Sequence, residues 1–210
     1  MKPKETPRKN TNRNDSPGPV ITLLVYGTLK RGFPNHDRFC RNAIDIQPAT
    51  VWGRLYDLGA YPALEVPEES ILAHGTADPL ADAATQAHYA AHVPPHAPNT
   101  PPVGDWDLIH GELITIPDPA QNLPPLDDLE GFRPDHASLY HRVLAKTQCN
   151  IRPCYAWLYC MMRSPEGKRI KVFVSPFSYF PISLDSGLVM SRSFCKLVFL
   201  VNSALLVTIL

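Results

Sequence analysis

The chain has 210 residues, and its 20 basic and 20 acidic side chains leave no net charge at pH 7. That balance implies neither the basic footprint of a nucleic-acid-binding domain nor a strongly acidic partner, and no nucleic acid is expected. The length suits one domain with extensions, or two small domains, and 23 prolines favour strands, turns and loops over long helices.

Residues 1–19 are polar and basic with almost nothing to bury, and read as a disordered tail. Val20 to Tyr26 is an apolar, β-branched run expected to form a buried strand. It runs into Gly27, a residue that tolerates positive φ and lets another group approach the backbone. The amides of Gly27, Thr28 and Leu29 have no obvious strand partner, so they are candidates for an anion-binding nest, with the Thr28 hydroxyl beside them. An ordinary exit from a strand into a loop explains the same residues if the nest is taken alone. Lys30, Arg31 and Gly32 complete the loop, followed by Pro34-Asn35-His36.

The spacing of apolar residues predicts a short helix over Asn35 to Ala43, a strand over Val51 to Leu58, a tight turn at Gly59 to Pro62 and a short strand from Ala63. Residues 70–106 read as an insertion, a surface excursion with a helix over Ala81 to Ala91 and a proline-rich segment after it. His88 and His92 share a helix face there, but no third ligand of matching spacing follows, so no metal site is expected. Leu108 to Ile116 alternates as a core strand does. Pro117 to Pro125 reads as a turn, and Leu126 to Phe132 as one helical turn stopped by Gly131. Ser138 to Lys146 and Cys154 to Met161 read as two further strands.

Beyond Arg163 alanine nearly disappears and serine becomes common, so 164–210 stands apart as an atypical extension. Its end, Phe194 to Leu210, is apolar but interrupted by Lys196, Asn202 and Ser203, and falls short of the roughly 20 apolar residues that span a bilayer. Membrane association is therefore not expected. No apolar stretch of a secretory signal follows Met1. The five cysteines show no C-x-x-C spacing, and read as reduced, structural thiols of a cytoplasmic protein.

Two stretches carry chemistry together: the Gly27 loop, and the acidic segment Leu126-Asp127-Asp128-Leu129-Glu130-Gly131 followed by Tyr140-His141-Arg142. A carboxylate near a backbone nest is an acid–base group beside an anion cradle. By pattern alone, a solvated or capping acid is the commoner role for Glu130, and Asp127 and Asp128 read as turn residues. Glu112, on a strand, is a rival base.

The order of these pieces resembles the gamma-glutamylcyclotransferase-like family. Val25-Tyr26-Gly27-Thr28-Leu29-Lys30-Arg31-Gly32 matches its opening signature, Gly53-Arg54-Leu55-Tyr56-Asp57 its second strand, Gly111-Glu112-Leu113 its third block, and Leu126-Asp127-x-x-Glu130 the segment with its catalytic glutamate. Tyr140-x-Arg142 and the strand through Tyr155 match its last core strands. Within the family, Pro34-Asn35-His36 looks most like the gamma-glutamylamine cyclotransferase branch. The resemblance covers residues 20–163 with the insertion left out. It implies an α+β fold, a small mixed domain around a closed barrel-like β-sheet with short helices. It further implies an enzyme in which the α-amine of a small γ-glutamyl substrate attacks its own γ-carbonyl, releasing 5-oxoproline and an amine or amino acid. Glu130 would be the catalytic residue, Tyr26, Gly27, Thr28, Leu29, Tyr140 and Tyr155 would bind substrate, and no cofactor is needed. The competing readings are a non-enzymatic small-ligand-binding protein of the same fold and a membrane-anchored version. The family's final strand or loop is not recognisable after Arg163.

Overall fold

The computed structural model describes residues 18–59, 61–92, 100–149, 152–163 and 167–171. The tail read over 1–19, apart from its last two residues, and the apolar segment 194–210 lie outside the described residues. The first strand, β1 (Val20–Val25), is apolar on both faces because it sits inside a sheet. It pairs antiparallel with β5 (Asp107–Pro117) on one side and parallel with β7 (Arg152–Cys160) on the other, with Leu23 opposite Trp157. β7 continues into β6 (His141–Cys149), and β5 into β2 (Asp45–Asp57). A bridge between Thr50 and Gln148 joins β2 to β6 and closes the five strands β2-β5-β1-β7-β6 into a barrel. The architecture is thus α+β, a closed barrel-like sheet with short helices.

Alternation along the strands sorts the core into two layers. Leu24, Val51, Leu55, Ile109, Val143 and Leu158 belong to a cluster built from the strands and the residues flanking them, which fills the barrel. Ile21, Leu23, Ile116, Leu144 and Trp157 point the other way and pack beneath helices α2 (Pro79–Ala91) and α3 (Pro119–Glu130), through Ala83, Leu123 and Leu126. The remaining helix, α1 (Pro34–Phe39), follows the first loop. No helix among the described residues is long and apolar enough to cross a membrane.

Several elements differ from the sequence-based expectations. β2 begins at Asp45 rather than Val51, since Asp45 to Thr50 have a waiting partner in Thr115 to His110 and pairing outweighs the poor strand propensity of Asp, Gln and Pro. Pro117 to Pro125 is mostly helix, not turn. Pro119 sits in the first helical turn, where its missing N–H costs nothing. Farther along, Pro124 and Pro125 cannot donate intrahelical hydrogen bonds, but full burial of Leu123 and Leu126 outweighs that loss. The stop at Gly131 is as expected: its φ is +66°, and the amides of Gly131 and Phe132 bond back to Asp128 and Asp127.

Within 70–106, residues 70–92 are integrated into the fold rather than excursive. β4 (Ile71–His74) pairs with β6, and α2 buries Asp82, Ala83 and Gln86. Gln86 donates to the carbonyls of Thr22 and Tyr155 and accepts from the amide of Thr22, so it fastens α2 to β1 and β7. Beyond Arg163, β8 (Lys168–Ile170) pairs with the end of β2 on the edge opposite β3 (Pro62–Glu65), and Arg169 pairs with Asp105 and Asp107 at 2.6 and 3.0 Å. A three-residue strand held by backbone bonds and a guanidinium leaves no periodic trace in sequence.

Candidate active site

The end of β1 delivers Tyr26 to Leu29 to a loop that its neighbours hold from three sides. The amide and Nε of Arg31 donate to the two oxygens of Glu112 on β5, at 2.8 and 3.0 Å. Asn35 Nδ2 donates to the Thr28 hydroxyl at 2.8 Å, and His36 Nδ1 lies 2.8 Å from the Leu29 carbonyl oxygen. Glu112, the rival base, is therefore an anchor of the loop. Lys30 donates to the Gly27 carbonyl to close the turn, while the amides of Gly27, Thr28 and Leu29 have no acceptor among the described residues.

Gly27 does not adopt positive φ, contrary to the reason first given for a glycine there. A Cβ on it would meet only Pro62 Cγ, at 3.6 Å. The backbone tolerates a side chain; what a side chain would remove is space. That space belongs to a cavity of about 400 Å³ between the 26–29 loop, Tyr61 and Pro62, the end of α3, and Tyr140 and Tyr159.

Glu130 is the last residue of α3 and lines this cavity. Burial pushes its carboxyl up to about 7, and no hydrogen bond or ion pair among the described residues offsets that. Three tyrosines stand around it with their protons already committed. Tyr26 Oη donates to the Tyr159 carbonyl at 2.9 Å, Tyr140 Oη to the Pro62 carbonyl at 3.0 Å, and Tyr159 Oη to Asp127 Oδ1 at 2.8 Å. Burial first, and negative charge nearby second, hold all three hydroxyls above their ordinary range. These phenols cannot release a proton to the carboxylate without losing an existing bond. The site is thus one titratable carboxyl near neutrality, a row of free main-chain donors and an aromatic wall.

Tyr155, expected in the site, is elsewhere. Its ring packs edge-on against Tyr89 of α2, 5.7 Å between centroids. It shares a face of β7 with Tyr159, but a distance of four positions along the strand, roughly 13 Å, separates them, and Tyr159 is the one that reaches the cavity.

A second group of residues was not anticipated at all. Asp127, read as a turn residue, accepts from both Tyr159 Oη and Arg142 Nη1. Arg142 is 0% exposed; its Nη2 donates to Asp82 of α2 and, at 2.9 Å, to the Thr76 carbonyl. The guanidinium lies 4.8 Å from the Phe132 ring centroid and 5.7 Å from that of Trp157. Asp82 also accepts from Thr76 N and Oγ1. One buried cation therefore ties α2 and α3 to β6, one helical turn behind Glu130. The sequence did carry a signal: an arginine inside the apolar run Val143-Leu144-Ala145 needs buried counter-charges. At the C-terminal end of α2, the rings of His88 and His92 lie tilted with centroids 4.4 Å apart, and no cluster of three metal-ligating side chains occurs among the described residues.

A family model described as "Gamma-glutamyl cyclotransferase, AIG2-like" matches residues 23–86 and 76–175. No curated protein matches the chain. Among solved structures, YkqA from Bacillus subtilis is 18% identical with a TM-score of 0.43, over 72% of this chain and 38% of its own. An AIG2-like protein from Mus musculus is 21% identical, with a TM-score of 0.38 over 70% of this chain and 82% of its own. A gamma-glutamyl cyclotransferase specific to glutathione from yeast is 14% identical, with a TM-score of 0.38 over 72% of both chains.

Proposed function

This chain belongs to the gamma-glutamyl cyclotransferase, AIG2-like family, and we propose that it cyclises a γ-glutamyl compound to 5-oxoproline with Glu130 as the single acid–base group. The observation that carries this reading is a desolvated carboxyl titrating near 7 in a cavity bordered by unpaired main-chain amides. Pro34-Asn35-His36 supports placing it nearest the gamma-glutamylamine branch, since Asn35 lines the cavity and His36 holds the loop.

In the proposed reaction the α-ammonium of the substrate gives a proton to the Glu130 carboxylate. The freed amine attacks the γ-carbonyl, forming the new C–N bond and an oxyanion. Glu130 gives the proton it holds to the departing nitrogen, whose C–N bond breaks as the oxyanion collapses, and takes the second proton from the new ring nitrogen, leaving a neutral lactam. That second proton passes to the released amine, which departs as the ammonium ion and restores the Glu130 carboxylate. Because the attack is intramolecular, the protein's main task is to fold the substrate and move the proton. The amides of Gly27 to Leu29 receive the α-carboxylate or the developing oxyanion. The steps are proton and acyl transfers, which call for no redox or electrophilic cofactor. The free thiols of Cys40, Cys149, Cys154 and Cys160 suit a reducing, cytoplasmic setting. Incubation with a panel of γ-glutamyl compounds, scored by mass spectrometry for 5-oxoproline, tests the assignment; no product from any of them removes it.

Two outcomes follow from the geometry. Gly27→Ala should melt with the wild type, since nothing but Pro62 is near the new methyl, yet raise KM about tenfold or more by filling cavity space. A wild-type KM would show that Gly27 does not face bound substrate. The second concerns pH. The free enzyme needs ionised Glu130, so kcat/KM should rise with pH through about 7. Stability should move oppositely. The folded protein holds this proton more tightly than the unfolded chain, so the benefit is complete below about 4.5 and is lost as pH rises through about 7. Glu130→Gln should lack that particular decline, as read by urea denaturation across pH.

A further inference from the structure

The two halves of the candidate site meet on one side chain. Tyr159 is 4% exposed and sits on β7, where the strand ladder places it opposite Arg142 of β6. Its main-chain carbonyl accepts from Tyr26 Oη at 2.9 Å, and Tyr26 leads directly into the amides of Gly27 to Leu29. Its hydroxyl donates to Asp127 Oδ1 at 2.8 Å, and Asp127 stands one turn before Glu130 on α3.

Asp127 is a firm point from which to hold the end of α3. Its carbonyl oxygen accepts from the amide of Phe132 at 2.8 Å, which closes the helix where Gly131 turns it. Its carboxylate is fixed from behind by Arg142, itself held by Asp82 and the Thr76 carbonyl. The rings of Phe132 and Tyr159 meet edge-on, with centroids 6.5 Å apart. For the last turn of α3 to move away from the barrel, the bond between Tyr159 and Asp127 has to break, because the ladder of β7 keeps Tyr159 in place. No ion pair among the described residues sets the position of Glu130, and no lysine, arginine or histidine lines the cavity; the titratable groups around it are the phenols of Tyr26, Tyr61, Tyr140 and Tyr159. Proton transfer depends on where the carboxyl stands relative to the amides that hold the substrate, and a misplacement of about 1 Å costs about 10²-fold.

Building on the cyclotransferase reading, we infer that Tyr159 is a positioning residue for this reaction, a brace that holds the strand-end amides and the Glu130 turn at the spacing the proton transfers require. It acts through Tyr26 on one side and Asp127 on the other, and gives up no proton of its own.

Tyr159→Phe keeps the ring, the backbone carbonyl and the contact with Phe132, and removes only the bond to Asp127. On the best γ-glutamyl substrate, kcat is expected to fall about tenfold or more with KM within about twofold. Released from Tyr159, the end of α3 opens toward water, so the Glu130 carboxyl should titrate below the wild-type value of about 7. Carbon NMR of protein labelled at the glutamate carboxyls reads that titration, the Glu130 signal being the one absent from Glu130→Gln. A tyrosine with a merely structural role would lower the melting temperature and leave the titration where it was. One acting only through its own polarity would raise it, since phenylalanine makes the surroundings more apolar. Either result, or an unchanged kcat, overturns the inference. Tyr26→Phe releases the other half of the brace: kcat/KM should fall by a similar factor while Glu130 still titrates near 7. If Tyr159→Phe does not fold, Tyr26→Phe decides alone, and an unchanged kcat/KM or a displaced titration ends the inference. If the wild type turns over no γ-glutamyl compound, the cyclotransferase reading fails, and the titrations of the two variants judge the brace without it.

Discussion

Glu130→Gln is expected to lose about 10²–10⁴-fold in kcat with little change in KM. Glutamine keeps the size and hydrogen-bonding shape of the side chain, and no described partner of the carboxylate is lost. What it cannot do is take the proton from the substrate ammonium or return one to the departing amine. Because the same group serves both transfers, the loss could exceed the usual range for one step. Above about pH 7 the variant should melt at or above the wild-type temperature, because the amide removes a charge that burial penalises. Steady-state kinetics on the best γ-glutamyl substrate, with melting curves at two pH values, reads all three quantities. Near-normal turnover would remove Glu130 from the mechanism. Glu112 would be a poor replacement, because both of its oxygens accept from Arg31.

The second large effect belongs to stability. Arg142→Met should cost about 3–5 kcal/mol, because it leaves two carboxylates, Asp82 and Asp127, buried without their shared cation. Methionine approximates the volume and keeps contact with Phe132 and Trp157, so the loss reports charge rather than a cavity. A urea midpoint shifted down at unchanged slope would record it. Arg142→Lys should recover only part of the stability, since one ammonium cannot reach both faces that the guanidinium fork serves. Indifference to Arg142→Met would mean that the two acids are neutral in the folded state and that the cation does not tie the helices. The network lies behind the site: Tyr159 shares Asp127 with Arg142, and Asp127 precedes Glu130 by three residues on α3. Loosening it should also disorder the carboxyl that the chemistry needs.

Local chemistry made much of this protein legible in its sequence. β-Branched and alternating runs located β1, β5, β6 and β7 to within a few residues, because such runs fit a pleated, buried surface wherever they occur. The Gly131 stop was readable because a left-handed residue after a helix strongly favours glycine. The short motifs around Gly27 and Glu130 named both halves of the candidate site, since a glycine-bearing loop after a strand and an acidic segment stopped by a glycine are local features. Tertiary structure decided the rest, in each case through partners distant along the chain. Closure of the barrel depends on Thr50 meeting Gln148, 98 positions away. The helix over Pro119–Glu130 forms against its own prolines because a sheet face is there to bury Leu123 and Leu126. Tyr155 and Tyr159 are indistinguishable by type and strand face, and only the position of the cavity along β7 separates them. Asp82, Asp127 and Arg142 looked like unrelated charged residues until folding removed the water between them. Desolvation is also what raises Glu130, and it depends on everything packed around the carboxyl rather than on its neighbours in sequence.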